Sequence, residues 1–154
     1  MNDQERLQVF VAEVLQHHFS AAEIGNLAWG LGVNPDTVLL HPKTIQQFAE
    51  AIAAHFARCG RLDDLLATAV CLRGLVARKW AAATLTANFD QAQRNDLLQK
   101  LGINPEDVLL NPTTANEHAW AIVEYFTRRN CLWVLIKSIV LSLGPAPVSG
   151  ILLA

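Results

Sequence analysis

The sequence predicts an all-α chain built from two tandem copies of one helical bundle. Three observations predict it. The chain matches itself without a gap at an offset of 70 residues. Apolar residues recur at i, i+3, i+4 and i+7 through each copy, which is the helical period. No segment carries a strand signal, and a self-match of this period marks a duplicated supersecondary unit.

The match is specific. Leu31-Gly32-Val33-Asn34-Pro35-Asp36 faces Leu101-Gly102-Ile103-Asn104-Pro105-Glu106, and Val38-Leu39-Leu40 faces Val108-Leu109-Leu110. From Phe19 to Leu66, 19 of 48 positions are identical, in core and turn positions alike. We place the modules at residues 4–72 and 75–143, with 144–154 as a tail or a linker to a further domain. Each module is read as about five to six short helices. Only Arg73-Gly74 joins them, so the two copies are expected to pack against each other.

The elements follow in order. Leu7, Phe10, Val11, Val14 and Leu15 form one face of a first helix, repeated by Ala77, Trp80, Ala81, Thr84 and Leu85. Ser20 with Glu23 is a capping box opening the second helix: the hydroxyl takes a free N–H of the first turn and the carboxylate reaches back. Asp90 with Gln93 repeats it. Gly32 and Gly102 close these helices, where a left-handed residue costs glycine least. Asn34-Pro35 and Asn104-Pro105 restart a third helix, since Asn caps well and Pro is tolerated at the first helical position. This helix is expected to carry Val38, Leu39 and Leu40 and to stop at Pro42. Thr44 caps a fourth helix with a core stripe of Ile45, Phe48, Ala49, Ile52 and Phe56. Gly60, or Asn130 in the second copy, ends it. A last helix runs from about Leu62 to Leu72 and from Leu132 to Leu143.

Composition narrows the function classes. Apolar residues make up 52% of the 154 and charged residues 17%, enough to fill a core and too apolar for disorder. Mean hydropathy is +0.24, so some apolar surface is expected to be covered by a second module or a partner. A net charge of −2 argues against nucleic acid, whose binders carry a basic face. The apolar run after Cys131 is shorter than the roughly 20 residues a membrane span needs. Cys59, Cys71 and Cys131 have no paired spacing and read as reduced thiols of a cytoplasmic protein.

Chemistry is sparse. His55 and Cys59 share a helix face, but their counterparts Tyr125 and Arg129 complete no metal site. Cys71 lies among Ala69, Val70 and Leu72 and reads as packing. His118 stands where Phe48 stands in the first copy and reads as a half-buried core residue. Gly30-Leu31-Gly32 is a helix end without the strand a dinucleotide loop requires. No catalytic residue, metal ligand or cofactor is assigned.

The run Phe19-Ser20-x-x-Glu23 … Leu27 … Leu31-Gly32-Val33, a Pro-containing turn, and a helix ending Phe56-Ala57-Arg58-Cys59-Gly60-Arg61-Leu62-Asp63-Asp64-Leu65 resembles the bacterial effector-associated domains of the death-like superfamily. The resemblance is stronger over 4–72 than over 75–143. It implies two tandem death-like bundles acting as a non-enzymatic adaptor, which recruits an effector or a matching module in bacterial signalling or defence. It is an implication of fold and context.

Comparing the copies picks out individual residues. Trp120 stands opposite Glu50, and Trp133 opposite Asp63, so neither Trp is needed by the module's core. Two readings stand: contact between the copies, or an aromatic anchor for a protein partner. Residues 1–73 hold five Lys/Arg and eight Asp/Glu, giving −3; residues 74–154 hold seven and six, giving +1. Glu50, Asp63 and Asp64 thus contrast with Arg78, Lys79, Arg128 and Arg129, a pattern able to orient head-to-tail assembly. The last helix, apolar on most of its circumference, is expected to be buried on two sides, by its own module and by the other copy, a homodimer mate or a further domain. The alternative function is a regulatory bundle holding a small apolar ligand between the copies.

Overall fold

The computed structural model describes residues 2–42 and 44–143. Every regular element among them is helical, so the chain is all-α. The expected tail at 144–154 lies outside the described residues. The chain divides into two compact units, Met1–Arg73 and Gly74–Gly144.

The first unit holds α1 (Asp3–His18), α2 (Ala21–Gly30), α3 (Pro35–Val38), α4 (Ile45–Arg58) and α5 (Leu62–Leu72). The second holds α6 (Gly74–Asn88), α7 (Gln91–Lys100), α8 (Pro105–Val108), α9 (Ala115–Arg128) and α10 (Leu132–Ser142). In each unit the first helix packs chiefly on the fourth, and the fifth packs on both. In the first unit α2 packs on α3, α4 and α5; in the second α7 packs closely on α8.

Local chemistry sets these boundaries. Ser20 Oγ accepts from Glu23 N–H at 3.2 Å, and Ser20 N–H donates to the Glu23 carboxylate at 2.9 Å. Asp90 and Gln93 close the same reciprocal pair. Gly32 and Gly102, at φ +82° and +77°, turn the chain out of α2 and α7. The N–H of Gly32 donates to Trp29 O and that of Val33 to Ala28 O, both at 2.9 Å; these bonds satisfy last-turn carbonyls that a helix end leaves open. Gly60 and Asn130 end α4 and α9 the same way, at φ +69° and +55°.

The cores form where the periodicity points. Leu7, Phe10, Val11 and Leu15 of α1 meet Phe48, Ala49, Ile52 and Phe56 of α4 and Leu65 and Leu66 of α5. In the second unit Trp80, Ala81 and Leu85 of α6 meet Ile122, Val123 and Phe126 of α9 and Leu135 and Ile139 of α10. Burial of a Phe or Leu of this kind contributes about 1.5–3 kcal/mol.

Three expectations need correction. The third helix stops at Val38, not before Pro42. Leu39 is already extended, at φ −153° and ψ 110°, and His41 takes φ +56°. The residue directly before a proline avoids the right-handed helical region, as His41 does ahead of Pro42, and one turn is too short to resist. Leu40 therefore leaves the helix and stands 60% exposed, as its counterpart Leu110 does at 65%. Ile45, at the first position of α4, is 40% exposed rather than core. Cys71 is exposed rather than packed: Ala69 and Val70 take the inner face of α5, which turns Cys71 outward.

Along α10, Leu132, Leu135, Ile136, Ile139 and Val140 are buried, while Trp133, Val134, Lys137 and Leu141 are half-buried.

Candidate functional site

α9 assembles the richest surface of the second unit. Thr114 caps it by accepting from Glu117 N–H at 3.0 Å. The helical period then points His118, Ala119, Ile122, Val123 and Phe126 inward. Ala121, Glu124, Tyr125 and Arg128 fall on the opposite stripe, with Trp120 at its edge. The short α8 packs against α9. Between them Asp107, Val108, Trp120, Glu124, Tyr125, Arg128 and Arg129 line a cleft of about 380 Å³.

The aromatic wall of this cleft is held in place. The Arg129 guanidinium lies over the Tyr125 ring at 3.6 Å, and its Nη1 donates to Tyr125 O at 3.2 Å. Such a stack fixes a side chain that solvent would leave mobile. Trp120 is half-buried. Arg128 and Arg129 share this lining with the carboxylates Asp107 and Glu124. The arrangement sets aromatic rings beside two guanidinium groups, a side-chain type that recognises carboxylates in planar geometry.

The first unit has no such wall. Its residues at the corresponding positions are Glu50, Ala54, His55, Arg58 and Cys59. There His55 Nε2 lies 3.6 Å from Cys59 Sγ. Glu50 accepts from Gln46 Nε2 at 3.0 Å and lines a different cleft, between α1 and α4, with Val9 and Glu13. A further cleft of about 390 Å³ in this unit is lined by Phe19, Leu27, Leu31 and Leu72, with Glu23 and Arg73 at its edge. Among the described residues no three His, Cys, Asp or Glu groups converge as metal ligands.

Of the residues singled out in sequence, Trp120, Arg128 and Arg129 come together in the α8–α9 cleft. Glu50 lies in the cleft beside α1. Asp63 and Asp64 sit in the first turn of α5, where carboxylates suit the positive helix end; Asp64 also pairs with Arg61 at 3.3 Å. Trp133 is half-buried at the start of α10 and does not line the cleft.

Sequence reasoning missed Tyr125, because a Tyr opposite a His is not conspicuous. It also missed Trp29, which is 57% exposed. The criterion that selects Trp120 selects Trp29 too, since Gln99 stands opposite it. Leu40 and Leu110 carry no sequence signal beyond their place near the third helix of each copy. They are the large apolar residues that both copies share and both expose.

The chain matches no protein-family model, no curated protein and no solved structure. Among the described residues no helix is long and apolar enough to cross a membrane.

Proposed function

We propose that this chain is a protein-binding adaptor whose two death-like modules recruit an effector or a matching module in bacterial signalling or defence. The reading is supported above all by the α8–α9 cleft, where Trp120 and the stacked Tyr125–Arg129 pair form an aromatic surface that the sister unit does not carry. Tryptophan, tyrosine and arginine side chains are enriched in binding hot spots, the aromatic ones because they bury much area at little entropy cost. The partner chemistry that fits is a peptide surface with an apolar side chain beside a carboxylate, placed against Trp120 and Arg128. The acidic Glu50, Asp63 and Asp64 of the first unit offer the complementary charge.

The test is to mix the full chain with a candidate effector or matching module and follow the complex by gel filtration. Trp120→Ala and Arg128→Glu are expected to weaken it at least tenfold, the loss of about 1.4 kcal/mol or more that a hot-spot side chain contributes. Trp133→Glu and Asp63→Arg test the other two surfaces. Binding unchanged in all four variants rejects these surfaces.

A second reading is a regulatory bundle holding a small apolar ligand. The cleft lined by Phe19, Leu27, Leu31 and Leu72 favours it. A small molecule co-purifying with the chain, lost in Leu31→Gln, would select this reading over the adaptor.

A further inference from the structure

The first unit fills the space between α2 and α4 with Ile24 and Phe48, 0% and 6% exposed. At the same two positions the second unit carries Arg94 and His118, 4% and 1% exposed. Neither exchange works alone. An arginine against Phe would leave its Nε without an acceptor, and a histidine against Ile would bury an imidazole nitrogen without a partner. Together they satisfy each other. Arg94 Nε donates to His118 Nδ1 at 2.9 Å. Arg94 Nη1 donates to Phe89 O at 2.5 Å and to Leu85 O at 3.4 Å. Those carbonyls form the C-terminal end of α6, which carries the negative end of the helix dipole and suits a cation.

The bond fixes the state of the ring. Nδ1 accepts, so the neutral imidazole holds its proton on Nε2. Protonating Nδ1 would aim one N–H at another and place two cations in contact inside the bundle. We propose that the Arg94–His118 pair makes the second unit an acid-sensitive element: protonated His118 releases Arg94, α7 loosens from α9, and α6 loses its C-terminal cap. The first unit, with Ile24 and Phe48 at those positions, has no such catch.

The electrostatics agree with the geometry. Burial first, and then the Arg94 cation, hold the His118 pKa below the ordinary value of 6.5. The other charged groups on the surrounding elements are Arg78 and Lys79 on α6, Asp90 at the cap of α7, which favours the Arg94 cation, Asp96 and Lys100 on α7, Glu106 and Asp107 on α8, Glu117, Glu124 and Arg128 on α9 with Arg129 at its end, and Lys137 on α10. Of all these charges Arg94 is the one that bears on His118. The unfolded chain takes up its proton near the ordinary value and the native unit only at lower pH. The stability is therefore complete above about 6.5 and falls as pH drops from there toward the folded value, since the unfolded state then binds more protons. One proton changes the opening equilibrium by at most about tenfold per pH unit.

Acid acts on the first unit as well, through His18. It is half-buried at the end of α1, and burial, His17 and Arg73 lower its pKa. The experiment must therefore locate the loss. Hydrogen exchange of the full chain, resolved by peptide and corrected for intrinsic rate, is measured from about pH 7.5 to 5.5, across the histidine range. Protection in α6, α7 and α9 is expected to fall by up to about tenfold per pH unit below 6.5. Tryptophan emission gives a second reading, because Trp80, Trp120 and Trp133 lie in the second unit and only Trp29 in the first.

Arg94→Ile with His118→Phe installs the first unit's pair and is expected to flatten this response. His118→Gln keeps an acceptor for Arg94 but cannot ionise, and is expected to flatten it too, so the test survives if the double variant fails to fold. A pH-independent second unit in the parent chain, or the same acid loss in His118→Gln, overturns the proposal. These readouts need no partner and do not depend on the adaptor reading.

Discussion

Arg73 shows how much one side chain can join. Its Nε donates to His18 O at 3.0 Å, at the end of α1. Its guanidinium lies over the Phe19 ring at 4.3 Å and pairs with the Glu23 carboxylate. It thus ties the end of α1, the α1–α2 corner and the capping box of α2 to the end of α5. The exposed ion pair contributes little by itself; the carbonyl bond and the ring contact contribute more. Arg73→Ala is expected to destabilise the first unit by about 1–2 kcal/mol. Arg73→Lys should recover less than half of that, because an ammonium cannot bond a carbonyl and cover a ring at once. Urea unfolding followed by exchange of α1 and α2 amides measures both. The pH behaviour of Glu23 has the same sign as that of His118 and lies in a more acidic range. The Ser20 N–H first, and then Arg73, lower its pKa below 4.5, so its contribution is complete above that value and is lost as pH falls below it. None of this was legible from spacing. Arg73 is a lone charge between two helices in sequence, and its partners are 50 and 55 positions away.

Elements were more legible, because their ends are written in local chemistry. Ser20, Asp90, Asn34, Asn104, Thr44 and Thr114 each cap the helix they precede by accepting a backbone N–H two or three residues on. The third helix was misjudged because its stop depends on three residues in succession, Leu39 extended, Leu40 outside and His41 at positive φ, and not on Pro42 alone. The two units also cap their first helices by different routes. Arg73 reaches the end of α1 from beyond α5, whereas Arg94 reaches the end of α6 from within α7. Leu143 stands at the position of Arg73, so the second unit needed another donor. One contrast tests the reading of helix ends at a single site. Gly32 sits at φ +82°, and Gly32→Ala is expected to cost about 1–2 kcal/mol, the penalty of a left-handed residue with a Cβ. Gly30, two positions earlier, is helical with open space around its Cα. Gly30→Ala is therefore expected to stabilise by up to about 1 kcal/mol through helix propensity. Thermal unfolding of the two variants measures both signs, and equal effects would reject the cap assignment.

At the scale of the whole molecule, duplication makes the fold class readable and hides the differences between the copies. Shared residues such as Leu27 and Leu97, or Phe56 and Phe126, are buried in both units, so the repeat traces the core twice. The divergence lies in pairs that change together, as Ile24 with Phe48 becomes Arg94 with His118. Such a pair is visible in sequence only when the two positions are known to touch. Charge diverges as well, with −3 on residues 1–73 and +1 on residues 74–154. Net charges this small steer encounter more than they hold a complex together. If copies of this chain meet through opposite faces, the association rate is expected to fall as salt rises from about 0.01 M to 1 M, which shortens the screening length from about 30 Å to 3 Å. Asp63→Arg with Asp64→Arg adds four charges and takes residues 1–73 from −3 to +1. That variant is expected to associate more slowly at low salt and no longer to slow as salt rises, because both faces are then weakly positive and salt screens their repulsion. Surface plasmon resonance with one copy immobilised measures the rate directly. An unaltered salt dependence in the variant would remove Asp63 and Asp64 from any contact between copies and leave the aromatic cleft on α9 as the surface to pursue.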